Sequence, residues 1–238
     1  LPRAEPIPLD AAQGGTAAGE RGAALSVQES AFVNASGKAV SGMVEVYLSP
    51  FDPSSGDDLA AAPELVTTVE GDTQILESFG MVDVQVEQDG KQLSVANAKE
   101  LELSIPVPDG SRPPATIDLW RYDETDAVWM NEGNAKLDAG TQTYVGLAKR
   151  AALWSAGDVY GATCICGVVD ETGKGPLAGA RIEANGVSYF GSSSEQTDAN
   201  GRFCMAVGKD SDVDVSAYHA SGGGETKRIH TKSAATLI

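Results

Sequence analysis

Alternation of apolar and polar side chains with a period of two recurs along this chain, while the 3.6-residue period of an amphipathic helix is scarce. Met43, Glu45 and Tyr47 alternate with Val44, Val46 and Leu48, and Val82, Val84 and Val86 alternate with Asp83, Gln85 and Glu87. Successive strand side chains point to opposite faces, so each run reads as a half-buried strand. Residues 101–107, 116–122, 127–130, 143–147, 165–169, 180–184, 201–207 and 213–218 are further strand candidates. Between the runs stand ASGK (35–38), QDGK (88–91) and DANG (198–201), whose Asn, Asp and Gly tolerate the positive φ that tight hairpins need. The 27 glycines and 11 prolines suit a chain of many turns. One stretch, 53–66, lacks alternation and reads as a long surface loop. Within it Asp57 or Asp58 can cap a turn or two over 59–62 before Pro63 stops them. The fold class expected is all-β.

A length of 238 residues favours two domains. Charge divides the chain as well: residues 1–160 hold 10 basic against 25 acidic side chains, and residues 161–238 hold 7 against 9. The texture changes near 157–163. The expected plan is a flexible Pro/Gly/Ala-rich segment leading to a first strand region (1–24), an acidic β-domain (25–160) and a small β-sandwich (161–238), two sandwich-like domains in tandem. The Ser/Ala-rich end at Ile238 reads as a tether or a truncation. A net charge of -17 repels phosphate backbones and anionic lipid, which argues against nucleic-acid and membrane-surface binding. No apolar run reaches the roughly 18–20 residues of a membrane-spanning helix.

Three cysteines, Cys164, Cys166 and Cys204, all fall in the second part. Cys164 and Cys166 share one strand face, and either could bridge to Cys204 across a small sandwich. Three free thiols, or a thiolate metal site short of a fourth ligand, are the other readings. His219 and His230, the only histidines, have no nucleophile in a recognisable arrangement, and no phosphate-cradling glycine loop is present. Asp57-Asp58, Asp123-Glu124-Asp126, Asp198 with Asn200, and Asp210-Asp212-Asp214 fall in turns, and none supplies the full ligand run of a calcium loop. Trp120 and Trp129 flank a turn nine residues apart, so their indoles fit the core of a hairpin better than a sugar platform. No residue is assigned a catalytic role, and no cofactor or metal is expected.

Residues 76–108, followed by IDLWRYDETDAVWMNEG (117–133), a Tyr144 strand and Leu153-Trp154, resemble the β-domain of zona occludens proteins, netrin receptors and ankyrins. They are closer still to related modules of bacterial exported proteins and cartilage intermediate layer proteins. The resemblance spans roughly residues 14–158. It implies an early turn at VQESAF (27–32), a Phe79-Gly80 turn, and a Trp120 strand ahead of an Asp123-Glu124 turn. Residues 168–207 resemble the carboxypeptidase regulatory-like, transthyretin-like module, with Pro176, Gly179, Asp198, Gly201 and Phe203 in register. That likeness implies an accessory sandwich without catalytic residues, and in exported versions a bridge placed like Cys164 to Cys204, with Cys166 free or as the alternative partner.

Several members of the first group cut themselves at His-Phe-Ser near the end of the domain. Arg150, Ala151 and Ala152 stand at those three places. Arginine cannot serve as a neutral base and alanine carries no nucleophile, so the resemblance implies a last strand without self-cleavage, the Lys149-Arg150 pair lying protected inside it. The function expected is a non-catalytic, extracytoplasmic structural, adhesive or interaction module for a protein or polysaccharide partner. The rival readings are an autoprocessing protein cut near 149–155 and a calcium- or carbohydrate-binding module.

Overall fold

The computed structural model describes residues 3–69, 71–109, 111, 113–189, 191–220, 222–233 and 236–237. In chain order its strands are β1 Ile7–Asp10, β2 Gly15–Ala18, β3 Ala24–Val27, β4 Phe32–Val33, β5 Met43–Phe51, β6 Val66–Val69, β7 Asp72–Gln88, β8 Lys91–Gln92, β9 Ser94–Val95, β10 Leu101–Pro106, β11 Thr116–Asp123, β12 Val128–Asp138 and β13 Thr143–Ala148. They continue as β14 Leu153–Val168, β15 Asp170–Glu171, β16 Gly175–Pro176, β17 Arg181–Gly186, β18 Ser192–Gln196, β19 Arg202–Gly208, β20 Asp212–His219, β21 Gly222–Gly223, β22 Lys227–His230 and β23 Thr236–Leu237. The one α-helix among the described residues, α1 (Gly56–Ala61), lies in the stretch without alternation, where the Asp58 carboxylate accepts the Asp52 backbone N–H at 2.7 Å. The all-β expectation holds. The chain divides into two compact units, Leu1–Ala61 with Ser78–Gly157, and Ala62–Glu77 with Asp158–Ile238. The division at Gly157/Asp158 falls at the change of texture expected as a domain boundary, inside one continuous strand, β14.

In the first unit the sheet runs β1-β5-β7-β14-β11-β12-β13-β10-β3-β2. Its two end strands, β1 and β2, are consecutive in the chain and lie beside each other, so the sheet is nearly closed. The opening segment, expected to be flexible and to lead into a first strand region, supplies both ends of the sheet: Leu9 and Ala17 are buried, and β1 and β2 pair with β5 and β3. A Pro/Gly/Ala composition concealed them because strands of four residues carry too few apolar side chains to show a period.

The alternating runs meet in register. Leu48 faces Val84 and Val46 faces Val86 across β5 and β7, and Val44, Val46, Leu48, Val82, Val84 and Val86 are all buried. Burial of each contributes about 1.5–3 kcal/mol. QDGK closes the β7–β8 hairpin with positive φ at both central residues, Asp89 (51°) and Gly90 (72°), as a type I′ turn requires. Trp120 and Trp129 are core residues as expected. The Trp120 indole N–H donates to the Gly157 carbonyl at 2.9 Å, and Trp129 stands opposite Tyr122 with ring centroids 5.3 Å apart.

Phe79-Gly80 does not form the turn expected from the family resemblance; it lies within β7. Gly80 has φ 149°, and a Cβ there would sit 2.2 Å from the Pro106 carbonyl oxygen. The glycine therefore lets the backbones of β7 and β10 approach, a role indistinguishable from a turn glycine at the level of sequence.

In the second unit β18-β17-β20, extended by β21 and β22, forms one sheet, while the later part of β14 pairs with β19 and, in parallel, with β23. Ile75, Ile165, Ile182, Tyr189, Phe203, Met205 and Val213 pack into one core. Ile75 explains why residues 62–77, which charge and texture place with the first part of the sequence, belong to the second unit: β6 pairs with the start of β7, whose apolar side chain fills this core. The tail expected to be a tether places Thr236–Leu237 in β23, and Ile238 lies outside the described residues.

Two stability measurements check these assignments. Gly80→Ala is expected to cost about 2–4 kcal/mol in urea unfolding, from its backbone conformation and the overlap with Pro106. Gly37→Ala, also at positive φ (75°) but with open space around it, is expected to cost only about 1 kcal/mol. Burial raises the Tyr189 phenol above its ordinary range, outweighing the Gly208 N–H that donates to its oxygen. A raised folded pKa favours the neutral phenol, so this contribution is intact below pH ~10 and is lost as pH rises through the folded value. Tyr189→Phe should be less stable by about 1 kcal/mol at neutral pH yet lose less stability between pH 9 and 11, measured by urea unfolding at each pH.

Candidate functional site

Two features collect side chains able to do something other than pack. The first is a groove of about 870 Å³ in the first unit, built from the connection through β9 to β10 and from the turn between β13 and β14. Leu93 and Val86 form its apolar floor; Asn97, Lys99, Asn131, Lys149 and Arg150 line its polar parts. The Lys99 ammonium donates to the Glu29 carbonyl at 3.2 Å, which fixes one wall. Glu132 is held by the Arg121 guanidinium, itself buried and bonded also to Asp123. Lys149 and Arg150 are exposed. The groove therefore offers cations, the carboxylates of Glu100 and Glu132, amide donors and acceptors and a small apolar floor, a set that orients a polar chain.

The position of Arg150, Ala151 and Ala152 differs from expectation. Residues 149–152 form a bend between β13 and β14 rather than a strand, so the dibasic pair is on the surface and is not protected by strand pairing. Two bonds hold the bend: the indole N–H of the fully buried Trp154 donates to the Arg150 carbonyl at 3.1 Å, and the Val84 N–H donates to the Ala152 carbonyl at 3.0 Å. The hydroxyl nearest in sequence, Ser155, is buried and bonded to Ser78 at 2.9 Å. The strand implied here by the family resemblance is replaced by a bend, in which Ala151 and Ala152 are half-buried.

The second feature is sulfur. The bridge joins Cys166 to Cys204, with Cα atoms 4.0 Å apart; Cys164, expected from the family resemblance to be the partner, is the free thiol. Register decides the pairing. Cys166 lies directly opposite Cys204, whereas Cys164 lies opposite Ala206. The bridge connects neighbouring strands within one sheet and does not cross a sandwich. Thr163 and Ile165 turn inward and are buried, while Cys164 and Cys166 are half-buried on the other face and Cys204 is exposed. An open groove of about 710 Å³ runs past the bridge, lined by Val168, Glu195, Gln196, Asp198 and Arg202 among others.

Of the acidic residues expected in turns, Asp198 holds a turn, whereas Asp212 and Asp214 lie in strand β20 and pair with β22. Backbone N–H groups of Arg202 and Asn200 donate to Asp198 and hold its carboxyl below the usual carboxylate range. Arg228 does the same for Asp214, and Asp212 pairs with His230 at 2.8 Å. Among the described residues no group of three or more His, Cys, Asp and Glu side chains is placed to hold a metal ion. No described helix is long and apolar enough to cross a membrane.

No protein-family model matches the chain, and no curated protein does. Among solved structures, the Bacillus anthracis TIE protein is similar at 8% identity with a TM-score of 0.28, over 100% of this chain and 50% of that one. The chain thus spans half the length of that protein, and at such a TM-score nothing is carried over from it.

If register alone selects the bridge, Cys166→Ser should leave Cys164 and Cys204 both alkylatable, two thiols in place of one, because Cys164 lies opposite Ala206 and cannot take over the bridge. The substitution should lower stability by up to about 4 kcal/mol for a loop of this length, checked by thiol labelling and urea unfolding together.

Proposed function

We propose that this chain is a non-catalytic interaction module of an extracytoplasmic protein, two β-sandwich-like domains that bind a protein or envelope polysaccharide through their surfaces. The groove that carries Lys149 and Arg150 supports this reading best: an exposed pair of cations beside amide side chains and an apolar floor, in a chain of net charge -17. At long range the acidic surface repels polyanions, so the groove suits a partner that is polar and locally acidic rather than a nucleic acid. The Cys166–Cys204 bridge supports an oxidising compartment, where bridges persist. The order of motifs supports kinship of the first part with the zona occludens, netrin receptor and ankyrin type β-domain, and of the second with the carboxypeptidase regulatory-like module. The methyl side chains at Ala151 and Ala152 argue against self-cleavage.

Two measurements test the proposal. Intact mass after prolonged incubation should give one chain of 24.6 kDa; fragments joining near Ala151 would establish autoprocessing instead. In a sedimentation assay with purified peptidoglycan and calorimetry with the short, locally acidic trigalacturonate, the doubly charge-reversed Lys149→Glu/Arg150→Glu chain should bind at least tenfold more weakly than the native one. Lys136→Glu, exposed on β12 and not among the residues that line the groove, should bind nearly as the native chain does. Equal binding by all three, or none by the native chain to either probe, removes the groove from the proposal.

A further inference from the structure

We infer that the Cys166–Cys204 bridge is a thiol-exchange site, at which a small thiol from solution attaches reversibly to Cys204. Three observations carry this. The bridge lies on the face of β14 and β19 that turns away from the core, so its sulfurs are not packed among Ile165, Met205 and Val207, which are buried on the opposite face. Its two sulfurs are unequal, Cys204 being exposed and Cys166 half-buried. An open groove of about 710 Å³ reaches both bridge cysteines and is walled by Glu195 and Gln196 of β18, a strand held to β19 by the Ser193 hydroxyl, which donates to the Ala206 carbonyl.

Exchange requires the incoming thiolate to approach along the line of the breaking bond, behind the sulfur attacked. Cys166 and Cys204 face each other across β14 and β19, so the line continued beyond Cys204 leads over β19 and away from β14, on the exposed side that the groove opens. The line continued beyond Cys166 leads toward β23, which pairs with β14 at Cys166 itself. Access and exposure therefore select Cys204 as the sulfur attacked. The thiolate of the small molecule forms a bond to Cys204 Sγ; the Cys166–Cys204 bond breaks; and Cys166 leaves with the electron pair as a thiolate, which takes up a proton. The mixed disulfide carries the oxidation state of the original bridge, and return attack by Cys166 expels the small thiol and restores it. Exposed bridges are the labile ones, in contrast to buried structural bridges that resist thiol pools.

Cys164 serves as an internal reference. It is free before and after the exchange, and a reduced thiol cannot join it without an oxidant. The experiment uses the whole native chain and reduced glutathione in oxygen-free buffer, quenched by acid, alkylated and mapped by fragmentation mass spectrometry. The expected result is a glutathione adduct on Cys204 with both Cys164 and Cys166 alkylated, reversed when glutathione is removed by gel filtration. An adduct on Cys166 in place of Cys204 overturns the assignment of the attacked sulfur. Alkylation of Cys164 alone at millimolar glutathione, with the bridge opening only once urea unfolds the chain, overturns the exchange site altogether. Cys164→Ser should give the same adduct at the same sulfur; loss of the adduct in that variant would show that Cys164, not the incoming thiol, opens the bridge, and would also overturn the inference.

Discussion

Strand register is the constraint on which the rest of this structure depends. Side chains alternate with a period of two, so a slip of one residue would turn every apolar side chain of a strand from core to solvent. The pairing of Val46 with Val86 and of Leu48 with Val84 is fixed because both strands must bury the same face. The QDGK turn, with Asp89 and Gly90 at positive φ, then fixes where β7 meets β8. The same rule places Cys166 rather than Cys164 opposite Cys204, and so determines which thiol is free.

Long strands convert that local rule into the architecture of each unit. β7 begins in the second unit, where Ile75 joins the core, and continues into the first, where Val82, Val84 and Val86 are buried. β14 passes from Trp154 in the first unit to Ile165 in the second without interruption. Gly80 marks where β7 comes against β10, and the buried hydroxyls of Ser78 and Ser155 satisfy each other beside it. Buried polar groups such as these are paired, as their desolvation demands. The Trp120 and Trp154 indoles both end on backbone carbonyls, and Arg121 ends on two carboxylates.

Function on such a frame belongs to what the strands leave over. The bend at 149–152 carries its cations outward because Trp154 and Val84 hold its carbonyls inward. The outward face of β14 and β19 carries its sulfurs because the inward face is occupied by Thr163, Ile165, Met205 and Val207. Both features are consequences of core formation on the other side of the same backbone.

The sequence by itself determined the all-β class, the inner faces of β5 and β7, the hairpin at QDGK and the core placement of Trp120 and Trp129. Period, turn chemistry and aromatic size are local properties, legible wherever a strand is long enough to repeat. Tertiary structure alone decided that the short β1 and β2 are strands, that Phe79-Gly80 lies inside a strand, that Lys149 and Arg150 sit on an exposed bend, and that Cys166 carries the bridge. Each of these depends on which strand lies alongside, through the Pro106 carbonyl, the Trp154 indole or the residue facing Cys204. A partner distant in sequence leaves no mark on the local pattern, because the pattern records which way a side chain points and not what it meets.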